Sequence, residues 1–253
     1  MRVLLSCVVV FFLSVPLRAE EVVLGLSMSE VEITTNFDGS EILVFGAVKR
    51  DAPVPDEPLD VIVAVAGPSL PVVVRRKERR FGIWVNTEAV EVDAAPSFYA
   101  VATTRPLSQV LSNTEDLRHR VSIPKAIRSV GSAGQVEDAQ SFTDAVIRIR
   151  QASGAYSLQE GAVELTDQTL FNTSIGLPAN LTEGDYPTRI FLTRGGAVVS
   201  VYETTIDVQK VGLERWLFDL SRQQPLIYGL MSLAIAIAAG WGASAAFRLF
   251  RQR

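Results

Sequence analysis

Five cations stand in six residues at Arg75-Arg76-Lys77-Glu78-Arg79-Arg80. Guanidinium and ammonium groups at that density suit anions, and each basic residue near an anionic surface contributes about 1 kcal/mol. Val72 to Val74 before the run and Phe81 to Val85 after it read as strands, so the cations are expected at a hairpin tip. Lipid headgroups, an envelope polymer or an acidic partner would each fit such a tip. A solvated, aggregation-resistant hairpin end is the competing explanation, because strand edges are commonly protected by charge.

Little else in the chain has the types and spacing that chemistry needs. His119 is the only histidine, and its neighbours Arg118 and Arg120 disfavour a metal cation. It reads as a surface residue at a helix end. The acid pairs Glu115-Asp116 and Glu137-Asp138 read as helix-start and solvent-facing positions. Cys7 is the only cysteine and lies in the N-terminal apolar run, so disulfides, zinc-thiolate sites and a cysteine nucleophile are not expected in the mature protein. No cofactor signature is present, and the expectation is a non-enzymatic protein. Because catalytic groups can assemble from distant segments, an enzyme ranks third among the readings rather than being excluded.

The elements around these residues place them outside a membrane. Residues 1–19 run from Arg2 through an apolar stretch to Pro16-Leu17-Arg18-Ala19, the order of a secretory signal peptide cut before Glu20. Leu226 to Phe247 is uncharged and long enough, at about 1.5 Å per residue, to cross a bilayer core of about 30 Å. Arg248, Arg251 and Arg253 follow it without an acid, which puts residues 248–253 in the cytoplasm and the main domain outside. Of 24 basic residues, five (Arg2, Arg18 and the three tail arginines) lie in the end segments; the remaining 19 face 28 acids, so the exported part carries a net charge of −9. An acidic exported domain argues against nucleic acid as a partner.

Two features of the anchor region could make contacts. Ser232, Ala236, Gly240 and Ser244 form a stripe of small residues at i+4 spacing, suited to close approach of a second helix, either from another copy or from another membrane protein. Alanine is frequent throughout the segment, so chance is the alternative. Leu213, Trp216, Leu217 and Leu220 recur at helical spacing over residues 211–225, consistent with an amphipathic juxtamembrane helix that holds Trp216 at headgroup depth or packs on the exported fold.

The exported domain reads as mainly β. Short β-branched runs at Val22 to Leu26, Val31 to Thr35, Ile42 to Val48, Val61 to Ala66 and Phe98 to Val101 fill a first lobe over residues 20–105. Residues 106–155 change to helical period, with one helix from Leu107 to Leu117 and another through Phe142, Ala145, Val146 and Ile149. Strands return over 156–210 at Leu170 to Ile175, Tyr186 to Thr193 and Ala197 to Val208, the last two joined by a Gly195-Gly196 turn. Leu181-Thr182-Glu183-Gly184-Asp185-Tyr186 looks like a sandwich corner with a structural tyrosine. The expectation is two immunoglobulin-like β-sandwich lobes with an inserted helical segment and one C-terminal transmembrane helix. A single merged sandwich is the alternative.

Arg75 to Arg79 with Gly82-Ile83-Trp84-Val85-Asn86, then Phe98-Tyr99-Ala100-Val101, Arg105-Pro106-Leu107, Pro225 to Leu230 and Gly240-Trp241 together resemble an alphaproteobacterial family of transmembrane proteins with no assigned activity. The resemblance implies a bacterial inner membrane with the domain in the periplasm, and supplies no catalytic residues. Two functions are expected in order: an accessory or interaction protein partnering another inner-membrane protein such as a transporter, then a binding module for an anionic envelope polymer or lipid surface through the basic hairpin.

Overall fold

Residues 61–65 alternate nothing: Val-Ile-Val-Ala-Val is apolar at every position, which suits a strand covered on both faces. In a computed structural model, which describes residues 20–33, 37–50, 57–129, 139–211 and 213–251, this run forms β4 (Asp60–Ala66), buried along its length except at Ala66. Residues 1–19, where a signal peptide is expected, the Glu137-Asp138 pair and Arg253 lie outside the described residues.

Twelve strands are described: β1 (Glu20–Leu26), β2 (Glu30–Ile33), β3 (Ser40–Arg50), β4, β5 (Ser69–Arg80), β6 (Ile83–Pro96), β7 (Tyr99–Thr103), β8 (Tyr156–Glu160), β9 (Glu164–Thr166), β10 (Leu170–Leu177), β11 (Gly184–Arg194) and β12 (Ala197–Lys210). A six-stranded sheet has the order β2-β12-β11-β4-β7-β8, a four-stranded sheet the order β1-β3-β10-β9, and β5 and β6 pair only with each other. Both larger sheets therefore mix strands from before and after the helical segment, as in the merged alternative rather than two separate lobes. The chain is mainly β, but without the all-antiparallel order of an immunoglobulin sandwich, because β7 and β8 run parallel. A parallel pair needs a long crossover, and the helices supply it.

Those helices are α1 (Leu107–Val110), α2 (Asn113–His119), α3 (Ile123–Ala126) and α4 (Ala139–Ala152). The single helix expected from Leu107 to Leu117 is broken because Leu111 turns to extended backbone and Ser112 starts a new helix, its hydroxyl accepting from the Glu115 amide at 3.4 Å. On one face of the six-stranded sheet, Ile62, Ala64, Tyr99, Val101 and Phe191 form a buried cluster with Val110, Val121, Phe142 and Val146 of the helical segment and Val74, Val90, Val92 and Ala95 of the β5–β6 hairpin. Burying each large apolar side chain is worth about 1.5–3 kcal/mol. On the opposite face Val61, Val63 and Val65 are fully buried, and Ile42, Val44, Phe171 and Ile175 of the four-stranded sheet are buried likewise; the two sheets meet where β10 lies against β7. Tyr186 closes the expected corner by donating its hydroxyl to the Thr182 carbonyl at 2.7 Å. Gly195 and Gly196 take φ of +54° and +81° in the β11–β12 turn, values that favour glycine.

A second unit contains α5 (Leu213–Gln223) and α6 (Pro225–Arg251). Pro225 occupies the first position of α6, where its missing N–H costs nothing. The window Pro225–Ser244 is long and apolar enough to cross a membrane, and none of it is buried by the described residues.

Candidate functional site

The β5–β6 ribbon has two parts. Its base enters the core through Val74 and Val90, which pair across the strands, and through Val92 and Ala95. A bulge beside Thr87 shifts the register between Arg76 and Lys77, and bulges increase local twist. From Lys77 to Arg80 the ribbon carries no core residue and extends about 13 Å at 3.3 Å per residue.

The structure moves the basic run away from the position its composition suggests. The run is the outer half of β5, and the turn itself is Phe81-Gly82, with φ of +49° and +85°. Arg80 lies opposite Ile83 and Arg79 opposite Trp84. The cations then separate by environment. Arg76 is structural in character: its guanidinium pairs with Glu88 at 3.0 Å, donates to Ser141 Oγ at 2.7 Å and sits 4.7 Å over the Phe142 ring. Arg80 pairs with Glu78 at 3.2 Å. Arg75, Lys77 and Arg79 have no acid within salt-bridge distance among the described residues. Between this strand and α4 lies an open cavity of about 400 Å³, lined by Arg75, Lys77 and Arg148 together with Phe142 and Ile149.

Sequence reasoning missed the apolar half of the site. Phe81 is 106% exposed, Ile83 64% and Trp84 68%. The available signal was an aromatic placed immediately before a glycine at the end of a cation run, which marks a turn rather than the start of a buried strand. A second apolar surface was also missed, on the outer face of the four-stranded sheet, where Val23, Leu43, Phe45 and Leu170 are exposed. The Phe45 ring lies so close over Gly25 that any Cβ there would collide with it.

The remaining candidates stay in structural roles. His119 ends α2, lies 3.4 Å from Glu115 and packs edge-on to Phe191. Arg189 donates to the carbonyls of His119 and Arg120 at 2.7 and 3.1 Å, satisfying the exposed end of that helix. Asp116 accepts from the Val121 and Ser122 amides at 3.0 and 2.7 Å and so organises the turn after α2, while Glu115 pairs with Arg118 at 2.6 Å. No group of three or more His, Cys, Asp or Glu poised to hold a metal is found among the described residues. Burial raises the phenol pKa of Tyr99 and Tyr186 and pushes that of Tyr156 up to about 12.

In the second unit Ser232, Ala236, Gly240 and Ser244 all lie on α6 and are all exposed, while a Cβ added at Gly240 would meet nothing within 4 Å. Trp216 is half-exposed on α5, beside an exposed Phe218, with Leu217 and Leu220 partly covered.

No curated protein matches the chain. A family model does, over residues 21–249, and it spans both the β-rich part and the apolar helix. The chain therefore belongs to the family described as "Putative transmembrane protein (Alph_Pro_TM)", a membrane family of unassigned function, as the sequence blocks around the basic run and Pro225 anticipated.

Proposed function

We propose that the chain is a non-enzymatic interaction protein of the bacterial inner membrane, held by one helix, with its β-rich domain in the periplasm and residues 248–253 in the cytoplasm. The observation that carries this reading is the wholly unburied apolar window of α6. None of the described residues covers it: lipid does so over most of its surface, and along Ser232, Ala236, Gly240 and Ser244 a helix of another inner-membrane protein, such as a transporter, or of a second copy. The exposed Val23, Leu43, Phe45 and Leu170 offer the exported domain a further apolar contact surface. Cross-linking in intact cells followed by purification in mild detergent tests the proposal. A stoichiometric membrane partner, lost in Gly240→Leu, supports it; a wild-type chain that never associates ends it. A reporter fused after Arg253 tests the orientation, and activity only on the periplasmic side would reverse it.

A second reading rests on the uncompensated cations of β5. Arg75, Lys77 and Arg79 equip the ribbon to bind an anionic envelope polymer or lipid surface despite the domain's net charge. Salt-sensitive co-sedimentation with envelope fractions, weakened by serine at those three positions, is the expected result.

A further inference from the structure

The geometry points to the tip of the β5–β6 ribbon as a bilayer-inserting wedge: Phe81, Ile83 and Trp84 enter the acyl boundary of an anionic phospholipid membrane while Arg75, Lys77 and Arg79 hold its phosphates. This deepens the second reading above by naming the source of the anions and adding an apolar contact.

Three observations support it. First, the apolar side chains are concentrated rather than scattered. Three of the four residues from Phe81 to Trp84 are large, apolar and 64–106% exposed, at the farthest point of a ribbon whose base is anchored in the core. Isolated exposed apolar residues need no explanation, but a cluster on a projecting tip marks a contact surface. Second, the order along the ribbon matches the layers of a bilayer. Phe81 is outermost, Ile83 and Trp84 follow in the pairs Arg80↔Ile83 and Arg79↔Trp84, and Lys77 and Arg75 lie successively further back. Insertion by 5–10 Å would therefore seat the apolar tip among acyl chains, tryptophan at headgroup depth and the cations against phosphate, with long stems that snorkel outward. Third, Phe81 adopts left-handed backbone at φ +49°, which a bulky residue rarely does. Glycine or asparagine would serve the turn better, and the ring is wholly exposed, so packing within the domain does not account for it.

A polyanion would satisfy the cations but leave the three apolar side chains in water, and a purely protective charged end would have no use for them. A bilayer with anionic headgroups uses both sets. The Glu78–Arg80 pair takes one cation out of play, which leaves Arg75, Lys77 and Arg79 as the principal phosphate contacts.

The test uses the full chain with Trp216→Phe and Trp241→Phe, so that Trp84 is the only tryptophan. The protein is held in phosphatidylcholine nanodiscs and mixed with phosphatidylglycerol vesicles carrying brominated acyl chains; a parallel sample places brominated phosphatidylglycerol in the nanodisc itself. Blue-shifted Trp84 emission, quenched by bromine in either sample, is expected. Phe81→Ser with Ile83→Ser should abolish the quenching and weaken vesicle binding at least tenfold, and each serine at Arg75, Lys77 or Arg79 should weaken binding about fivefold. Salt-sensitive vesicle binding with unquenched Trp84 would overturn insertion and leave the anion reading standing. Absence of vesicle binding in the first sample together with unquenched Trp84 in the second would remove both. An emission shift produced by membrane protein fractions but not by protein-free vesicles would reassign the tip to a protein partner and overturn the proposal.

Discussion

The two ends of one hairpin treat apolar residues in opposite ways. At the base, Val74, Val90, Val92 and Ala95 are removed from water against Ile62, Phe142 and Val146; at the tip, Phe81, Ile83 and Trp84 face solvent. The base obeys the rule by which folding gains stability from apolar burial. The tip contributes little to that gain, and its turn holds Phe81 in a backbone region that bulky side chains avoid. Residues that a fold neither buries nor needs point to contacts outside it, and the difference separates what the hairpin does for the domain from what the domain does with the hairpin.

The comparison is broken most severely at the base. Val92→Asp would place an unpaired carboxylate in the fully buried cluster, and a loss of about 3 kcal/mol or more is expected, read as a lowered denaturation midpoint of the full chain in mild detergent. Alkaline pH attacks the same interior more gradually. Burial raises the pKa of Tyr99, Tyr156 and Tyr186, so their phenols stay neutral when those of the unfolded chain ionise. Their stabilising contribution is complete below a pH of about 10 and is lost as the pH rises through the folded values, about 12 for Tyr156. A titration of phenolate absorbance alongside unfolding should show these tyrosines ionising late. If they titrate with the free amino acid, the burial argument fails.

Smaller effects sharpen the boundary between the two ends. Arg76→Ser should cost about 1 kcal/mol through the lost contacts to Glu88, Ser141 and Phe142, whereas Arg79→Ser should stay within about 0.5 kcal/mol. Equal losses would show that the basic run acts as one unit. Phe81→Asn should stabilise the turn by up to about 1 kcal/mol, since asparagine tolerates left-handed backbone, and thermal unfolding of the two proteins checks the sign. A destabilised Phe81→Asn would mean that the ring contributes to the fold after all.

Local features were the legible ones. The Gly195-Gly196 turn, the helix through Phe142 and Ile149 and the Tyr186 corner depend on residues near one another in sequence, and all three stand in the structure. The break at Leu111-Ser112 was missed because helical spacing continues across it, while the Ser112 cap and the hydrogen bond from its amide to Gly196 redirect the chain. In the candidate site, the basic run was visible from composition alone, but its division into Arg76 with internal partners and Arg75, Lys77 and Arg79 without a salt bridge was not. That division depends on Glu88, Ser141 and Phe142, which strand pairing and helix packing bring to one side of the ribbon.

The amino-acid sequence alone determined the candidate membrane helix, because length and apolar composition are one-dimensional quantities that decide whether a segment can span a bilayer. It also determined the mainly β character and the Gly195-Gly196 turn. Only the tertiary structure decided that β1, β3, β9 and β10 share a sheet across more than a hundred residues of chain, and that Phe81, Ile83 and Trp84 are left outside. The physical reason is the same in both cases: a strand's partners and the burial of its faces are set by long-range pairing, so apolar residues can be core at one end of a hairpin and solvent-facing at the other.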